Sequence, residues 1–129
     1  MAVEVIEPIN CEDAGPSVPI LWPPNGRFVD VAVEGVTSTG DGPVAIAITG
    51  ITQDEPVGRD ADAGGIGTAT ARPRAERDGA GDGRVYHVFF SASGARGGSC
   101  TGEVTVGVPH DRGGSSAGGG GGLFDSTAP

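Results

Sequence analysis

One stretch decides the fold class: Asp82-Gly83-Arg84-Val85-Tyr86-His87-Val88-Phe89-Phe90. It begins in a charged, Gly-containing turn and continues into residues that alternate between the two faces of an extended chain. A period of two is typical of a β-strand with one buried face, and Tyr86 lies near the start of this one. The stretch therefore predicts a turn that leads directly into a half-buried strand.

Other segments carry a similar alternation and predict strands, namely 28–34, 44–52 and 103–108. In the first of them Val29, Val31 and Val33 share one face, as in a strand of a sandwich. Residues 66–75 predict a weaker strand, which Pro73 limits to a sheet edge or a bulge. The chain has 25 Gly, 10 Pro and no Lys, and this composition favours short strands joined by turns. The predicted fold class is all-β, a sandwich of about seven strands.

The length of 129 residues fits one domain, which the composition divides into three parts. Residues 1–27 predict an extended, Pro-rich lead-in with an edge strand, and residues 28–112 predict the sandwich core. Residues 113–129 predict a Gly/Ser-rich, flexible and disordered tail. Three interpretations of its apolar Leu123-Phe124 pair stay open: an artificial remnant of cloning, the start of a neighbouring domain, or a short docking peptide. We expect Trp22 to plug one end of the core, with ligand stacking as the alternative.

The net charge of -9 bears on the classes of partner. Nucleic-acid binding relies on clustered basic residues, so we expect no nucleic-acid partner, and anionic membrane surfaces are disfavoured for the same reason. No apolar run is long enough to cross a bilayer, and we expect no membrane insertion. The acidic start, residues 1–7, lacks the basic region of a signal peptide. We expect an excised piece of a longer protein, the alternative being a cytoplasmic chain.

The two cysteines, Cys11 and Cys100, lie far apart and lack the spacing of a zinc site. A single disulfide between them would close most of the domain and stabilise it by about 4 kcal/mol in the chain-entropy model. Two buried free thiols are the alternative. We favour the disulfide because the rest of the composition is typical of extracellular proteins.

One predicted loop collects carboxylates that can bind a divalent cation: Asp54, Glu55, Asp60 and Asp62. A second loop holds Glu76, Asp78 and Asp82, and the two loops can meet at one end of a sandwich. Ca²⁺ takes six to eight oxygen ligands in a tolerant geometry, so Ca²⁺ is the candidate cofactor. Two alternatives stay open, namely carboxylates that face solvent and carboxylates paired with arginines at positions 72, 74, 77 and 84.

Catalytic residues are not evident in the sequence. There is no Gly-x-Ser-x-Gly nucleophile elbow, and the histidines are His87 and His110. We expect His87 to face solvent, because it lies on the strand face opposite Tyr86 and Val88. We expect His110 to cap the end of the last strand or bond a loop, since no nucleophile can be named as its partner. The expectation is that the protein is not an enzyme.

Asp82 precedes Tyr86 by four residues, and this spacing resembles the tyrosine corner of immunoglobulin-like domains. The resemblance implies a structural role for Asp82 and Tyr86, in which the Tyr86 hydroxyl bonds back to upstream backbone. Val88 stands where antibody domains carry their second core cysteine. The usual inter-sheet disulfide is therefore missing, and a bond between Cys11 and Cys100 would be of another kind.

A longer resemblance rests on four ordered landmarks: Leu21-Trp22-Pro23-Pro24-Asn25-Gly26-Arg27-Phe28-Val29, Asp54-Glu55-Pro56-Val57, Arg74-Ala75-Glu76-Arg77 with Gly83-Arg84-Val85-Tyr86, and Val108-Pro109-His110-Asp111. Together they resemble a bacterial immunoglobulin-like domain, similar to HYR and PKD repeats, of large secreted or surface-anchored proteins. The chain departs from that pattern at residues 94–99 and in its glycine-rich tail.

The resemblance implies an immunoglobulin-like β-sandwich, an extracellular or cell-surface location and a non-catalytic structural, adhesion or assembly role. The expected partners are neighbouring domains or copies of the chain, joined by strand addition at the edge strand before Pro8 or at the apolar tail pair. The alternative is an accessory carbohydrate-binding domain of a secreted hydrolase, with a polysaccharide ligand. That role requires a platform of exposed aromatic side chains.

Overall fold

The computed structural model describes residues 9–38, 44–57, 60–76, 83–94, 98–109 and 124–128. In these ranges the chain forms strands and no helix, so the predicted all-β class is confirmed. The described residues therefore include no helix long and apolar enough to cross a membrane. The strands are β1 (Ile9–Asn10), β2 (Gly15–Pro16), β3 (Val31–Glu34), β4 (Thr37–Ser38), β5 (Val44–Gln53), β6 (Ala63–Gly64), β7 (Thr70–Pro73), β8 (Gly83–Gly94), β9 (Ser99–Pro109) and β10 (Phe124–Asp125).

The strands form two four-stranded antiparallel sheets and one short ribbon. Sheet I has the order β10-β5-β8-β9, sheet II has the order β2-β3-β7-β6, and β1 pairs with β4. In the middle of sheet I, Tyr86 lies opposite Gln53 on one side and Val106 on the other. The lead-in adds a parallel contact at the outer edge of β9, where Ile20 pairs with Gly107.

Both sheets contribute to one hydrophobic core. Sheet I supplies Ile48, Val88 and Val106, and sheet II supplies Val31 and Ala71, all of which are buried. Burial alternates along β8, whose inward residues are Tyr86, Val88, Phe90 and Ala92. The prediction of a half-buried strand from this stretch is thus confirmed, and the shared core is consistent with a β-sandwich.

Several strand boundaries differ from those predicted. The weak strand expected at 66–75 is confined to β7, because a turn built on glycine precedes it. Gly65 and Gly67 have positive φ angles of 103° and 83°, which other residues rarely adopt. A Cβ atom on Gly65 would also collide with the carbonyl oxygen of Thr70. The edge or bulge position predicted from Pro73 is wrong, since β7 lies between β3 and β6 and Pro73 is its last residue. The Pro-rich lead-in contains β1 and β2, where an irregular chain was expected, while the edge strand predicted at 3–7 lies outside the described residues.

The prediction of a disordered tail is wrong for residues 124–128. The Ser126 N–H donates to the Ile51 carbonyl at 2.9 Å, and the Ser126 carbonyl accepts from the N–H groups of Asp62 at 2.8 Å and Ala63 at 3.0 Å. These bonds join the edge of sheet I to the edge of sheet II, and Ser126 is fully buried. Backbone pairing at two sheet edges thus orders a segment that composition alone marks as a tail. Residues 113–123 lie outside the described residues.

The prediction that Trp22 plugs the core is also wrong. Trp22 is 38% exposed, whereas the neighbouring Leu21 is only 2% exposed. The Leu21 N–H donates to the Gly107 carbonyl at 2.9 Å, and the Gly107 N–H donates to the Pro19 carbonyl at 2.9 Å. In extended backbone, successive side chains point to opposite faces, so the pairing that turns Leu21 inward turns Trp22 outward.

Candidate functional site: a buried polar network

Arg84 on β8 is the centre of a polar cluster inside the molecule. Its Nε donates to Oε1 of Glu55 at 2.8 Å, and its Nη1 lies 3.2 Å from Oδ2 of Asp62. All three side chains are buried. We call the cluster formed by Gln53, Glu55, Asp62, Arg84 and Tyr86 the Arg84 network.

Tyr86 links this network to sheet II. Its hydroxyl donates to the carbonyl oxygen of Arg74, just after β7, at 2.8 Å and accepts from Nη1 of Arg84 at 2.9 Å. This is the backbone bond that the tyrosine-corner resemblance implied for Tyr86. Burial raises the pKa of Tyr86 to about 12, and the adjacent Arg84 charge limits the increase. Asp82, the other corner residue, lies outside the described residues.

The pKa of Arg84 reflects the same surroundings. Burial by itself lowers the pKa of a guanidinium, but the interactions with Tyr86, Glu55 and Asp62 outweigh it, and the net pKa is raised. Arg84 therefore remains charged, and its charge is compensated by the two carboxylates beside it.

Gln53 at the end of β5 completes the network. Its Nε2 donates to the Glu55 carbonyl at 2.8 Å and to Oδ2 of Asp62 at 2.9 Å. The next residue, Asp54, does not join these contacts, because its Oδ1 accepts from the backbone N–H of Val85 at 2.9 Å. Adjacent acids in the second landmark thus have different tasks: Glu55 pairs with a buried arginine, and Asp54 bonds the backbone of β8.

A second arginine lies at the border of the network. Nε of Arg74 is 3.8 Å from Oδ1 of Asp62, and its Nη2 donates to the Ala61 carbonyl at 3.0 Å. The guanidinium stacks on the ring of Phe28, 4.6 Å from the ring centroid. Nε of Arg74 is also 3.9 Å from Oε2 of Glu76, whose side chain is 46% exposed. Two arginines therefore lie beside three carboxylates, of which Glu55 and Asp62 are buried. Buried carboxylates that are paired with arginines in this way are typical of a structural ion cluster.

The geometry does not support the predicted Ca²⁺ site. Glu55 and Asp62 do come together, but they meet on Arg84, while Asp54 bonds backbone and Asp60 is exposed. Within the part of the chain that the structure describes, no group of three or more His, Cys, Asp or Glu residues is placed to hold a metal ion. For Glu55 and Asp62 the alternative of pairing with arginine is the one observed.

The structure contains the disulfide between Cys11 and Cys100 that the sequence favoured. The bond spans 89 positions and ties the lead-in to β9. A shallow surface groove beside it is lined by Ile9, Asn10, Glu12 and Thr101 as well as the two cysteines. The lead-in is therefore attached to sheet I by a covalent bond in addition to the pairing of Ile20 with Gly107.

His87 is less exposed than the sequence predicted. Its side chain is 17% exposed and its Nδ1 contacts Oε2 of Glu103 on the neighbouring strand. The two residues lie on the face of sheet I opposite the core. His110, the second histidine, lies outside the described residues.

Sequence reasoning missed the roles of Gln53 and Ser126. No sequence signal identified Gln53, because strict alternation from the inward-facing Ile48 would place it on the outer face, and the register shift between Ile48 and Gly50 turns it inward. The sequence carries no signal for Ser126 either, because its burial depends on backbone bonds to two distant strands. Comparison with protein-family models, with curated proteins and with solved structures gave no match to the chain.

Proposed function

We propose that the chain is a non-catalytic, extracellular, immunoglobulin-like module that serves as a structural, adhesion or assembly domain of a bacterial surface or secreted protein. The observation that carries the proposal is the Arg84 network. Polar residues of the second and third landmarks converge in it, together with Asp62, and they are engaged with one another and with backbone. Residues engaged in this way support a structural role for the network.

The strand order supports the immunoglobulin-like part of the proposal. Sheet II has the order β2-β3-β7-β6, which corresponds to strands A, B, E and D of a constant-type immunoglobulin sandwich. The neighbouring β5, β8 and β9 of sheet I correspond to strands C, F and G. The Tyr86 bond to the Arg74 carbonyl falls at the corner between strands E and F, where that fold carries its tyrosine.

The disulfide supports the extracellular part of the proposal. Disulfides form and persist in oxidising compartments and are rare in the reducing cytosol. The Cys11–Cys100 bond fastens the lead-in to the body of the domain, a role suited to a protein exposed to proteases and mechanical load. Neighbouring domains or further copies of the chain are the proposed partners, with strand addition as the means of contact.

An accessory carbohydrate-binding role is the second candidate, and the exposure of aromatic rings favours it. Trp22 is 38% exposed and Phe28 is 43% exposed, although core positions were expected for most aromatic residues. Exposed rings can stack on the apolar faces of sugars. Phe28 already carries the Arg74 guanidinium on one face, and Trp22 has the largest of the exposed rings, so Trp22 is the residue to test.

A polysaccharide retention assay separates the two functions. We expect the full chain and its Trp22→Ala variant to pass columns of insoluble bacterial and plant polysaccharides with equal, unretarded elution. Phe89→Ala, which removes another exposed ring on sheet I, is the matched control. Specific retention that is lost in Trp22→Ala but kept in Phe89→Ala would overturn the structural role in favour of carbohydrate binding.

A fusion experiment tests the structural role itself. An autonomous module placed between two unrelated folded domains unfolds at the same denaturant midpoint as the isolated chain, because it carries its own core. We expect the two midpoints to coincide. A midpoint that depends on the flanking domains would contradict the proposal.

A further inference from the structure

We propose that the site at the edge of β5 that holds residues 124–128 also accepts the same residues from a second copy of the chain, so that copies assemble by exchanging this segment. The inference rests on the proposed assembly function and names its partner. Its test does not involve polysaccharide or flanking domains, so the two proposals can fail independently.

The contacts that hold the segment are mainly backbone contacts. Phe124 pairs with Gln53 and Asp125 with Thr52 in antiparallel register. Ser126 then bonds Ile51 on one sheet, together with the N–H groups of two residues at the start of β6 on the other. Recognition by backbone hydrogen bonds and one small buried residue is how sheets accept an added strand.

The side-chain contacts of residues 124–128 do not depend on which chain the segment belongs to. Phe124 and Asp125 are exposed, and the Asp125 carboxylate accepts from the N–H and hydroxyl of Thr127 within the segment. The segment therefore carries its own turn, and its bonds to β5 and β6 would be the same if it came from another chain.

The connection to the rest of the chain permits both arrangements. β9 and β10 lie at opposite edges of sheet I, three strand spacings or about 14 Å apart. Residues 110–123 join them, and fourteen residues can reach up to about 50 Å. The covalent path thus suffices for docking within one chain and is long enough to reach the same site on a neighbour.

Concentration decides between the two arrangements. A short tether gives an effective concentration in the millimolar range, so docking within the chain dominates in dilute solution. Exchange becomes competitive where copies are crowded, as on a surface, or where the tether is too short. Reciprocal exchange between two copies closes a two-fold dimer, and one-way exchange builds a chain of copies.

Cysteine trapping between full-length chains tests the exchange. Thr52 and Asp125 are direct cross-strand partners, a separation suited to a disulfide. The Thr52 hydroxyl has no hydrogen-bond partner among the described residues, so its replacement removes no bond. Replacing Asp125 removes the two hydrogen bonds from Thr127 within the segment but leaves the backbone pairing with β5 in place. One chain carries Thr52→Cys and the other Asp125→Cys. We expect a covalent heterodimer whose yield rises as the mixture is concentrated towards the millimolar range.

Two controls make this result decisive. A chain with both substitutions is expected to form the bond internally, and failure to do so would contradict the docking itself. A mixture of Ala45→Cys with Asp125→Cys measures random collision, since Ala45 is exposed on the same strand but does not face Asp125. Heterodimer yields from the matched pair that stay at the level of the Ala45 mixture would overturn the proposal.

A shortened tether provides the second test. Removing residues 111–122 leaves two residues between β9 and β10, which reach about 11 Å and fall short of the 14 Å required. We expect light scattering to give twice the mass of the chain. Adding Ser126→Asp, which places a charge at a fully buried position, is expected to return the shortened chain to a monomer. A shortened chain that is monomeric at every concentration would overturn the proposal.

Discussion

Nε of Arg84 donates to Oε1 of Glu55 across 2.8 Å, and solvent is nearly excluded from both side chains. Arg84 lies on β8 and Glu55 follows β5, so the bond fastens two strands of sheet I at the end where sheet II contributes Asp62. The value of such a buried pair is best seen when one partner is removed, because the other is then left as an uncompensated charge.

Replacing Arg84 by Met tests this relationship. We expect Arg84→Met to lower the free energy of unfolding by about 3–5 kcal/mol, since Glu55 loses its compensating charge and Asp62 keeps only the more distant Arg74. Arg72→Met is the matched control. Arg72 is 2.9 Å from Asp30, but the two side chains are 59% and 72% exposed, so its loss is expected to cost at most about 1 kcal/mol. Equal losses in urea denaturation would contradict a buried structural role for Arg84.

Metal removal distinguishes a structural network from a calcium site. We expect the same melting temperature with excess EDTA and with millimolar Ca²⁺, because Glu55 and Asp62 are already paired with Arg84. A ligand that binds only the native state raises stability with its concentration. A melting temperature that rises with Ca²⁺ and falls with EDTA would restore the site first predicted from the carboxylates.

The burial of Leu21 and the exposure of the adjacent Trp22 make a direct mutational comparison possible. Leu21→Ala opens a cavity at a side chain that is 2% exposed and is expected to cost about 2–5 kcal/mol. Trp22→Ala removes a larger but half-exposed ring and is expected to cost less than Leu21→Ala. Denaturant midpoints of the two variants check the order, and a greater loss for Trp22→Ala would place the indole in the core after all.

The disulfide is expected to contribute through the unfolded state. Because it spans 89 positions, its removal in a Cys11→Ala/Cys100→Ala variant is expected to lower stability by about 4–5 kcal/mol in the chain-entropy model. Chemical reduction of the unchanged chain should produce a similar loss, which serves as the control for the substitutions. Unchanged stability in both experiments would contradict a structural role for the bond.

Local patterns predicted part of this fold well. The alternation that begins at Tyr86 identified β8. This strand lies between β5 and β9 with one face on the core, so every second side chain from Tyr86 to Ala92 is apolar. The alternating segments at 28–34 and 103–108 likewise located β3 and most of β9, although β3 is shorter than predicted. With only two cysteines in the chain, Cys11 and Cys100 offered a single possible disulfide, and the composition typical of extracellular proteins favoured it over two free thiols.

Other features depend on partners that are distant in sequence. Nothing near Leu21 shows that Gly107 will pair with it and set which of two neighbouring apolar side chains points inward. Ser126 is buried because β5 and β6 both offer backbone groups to it, and composition in its vicinity indicates only a linker. The sequence could not tell which of Asp54 and Glu55 pairs with an arginine. Their different roles depend on β8, where Arg84 binds Glu55 and the Val85 N–H binds Asp54.

The titration of Tyr86 tests the central claim, that the candidate site is a buried network joining the two sheets. Tyr86 is the only tyrosine, the chain has no lysine, and both cysteines are in the disulfide, so no other side chain ordinarily ionises near pH 10 to 11. The folded pKa of about 12 lies above the ordinary 10.0, so the folded state holds the phenolic proton more tightly. This contribution, about 3 kcal/mol, is fully present below pH 10 and is lost as the pH rises through 12.

The measurement is an ultraviolet absorbance titration of tyrosinate with unfolding followed in parallel, and Tyr86→Phe is the control that removes the signal. We predict ionisation displaced to about pH 12 or occurring together with unfolding, because the hydroxyl is buried and bonded to the Arg74 carbonyl. Ionisation near pH 10 in a chain that remains folded would contradict the network.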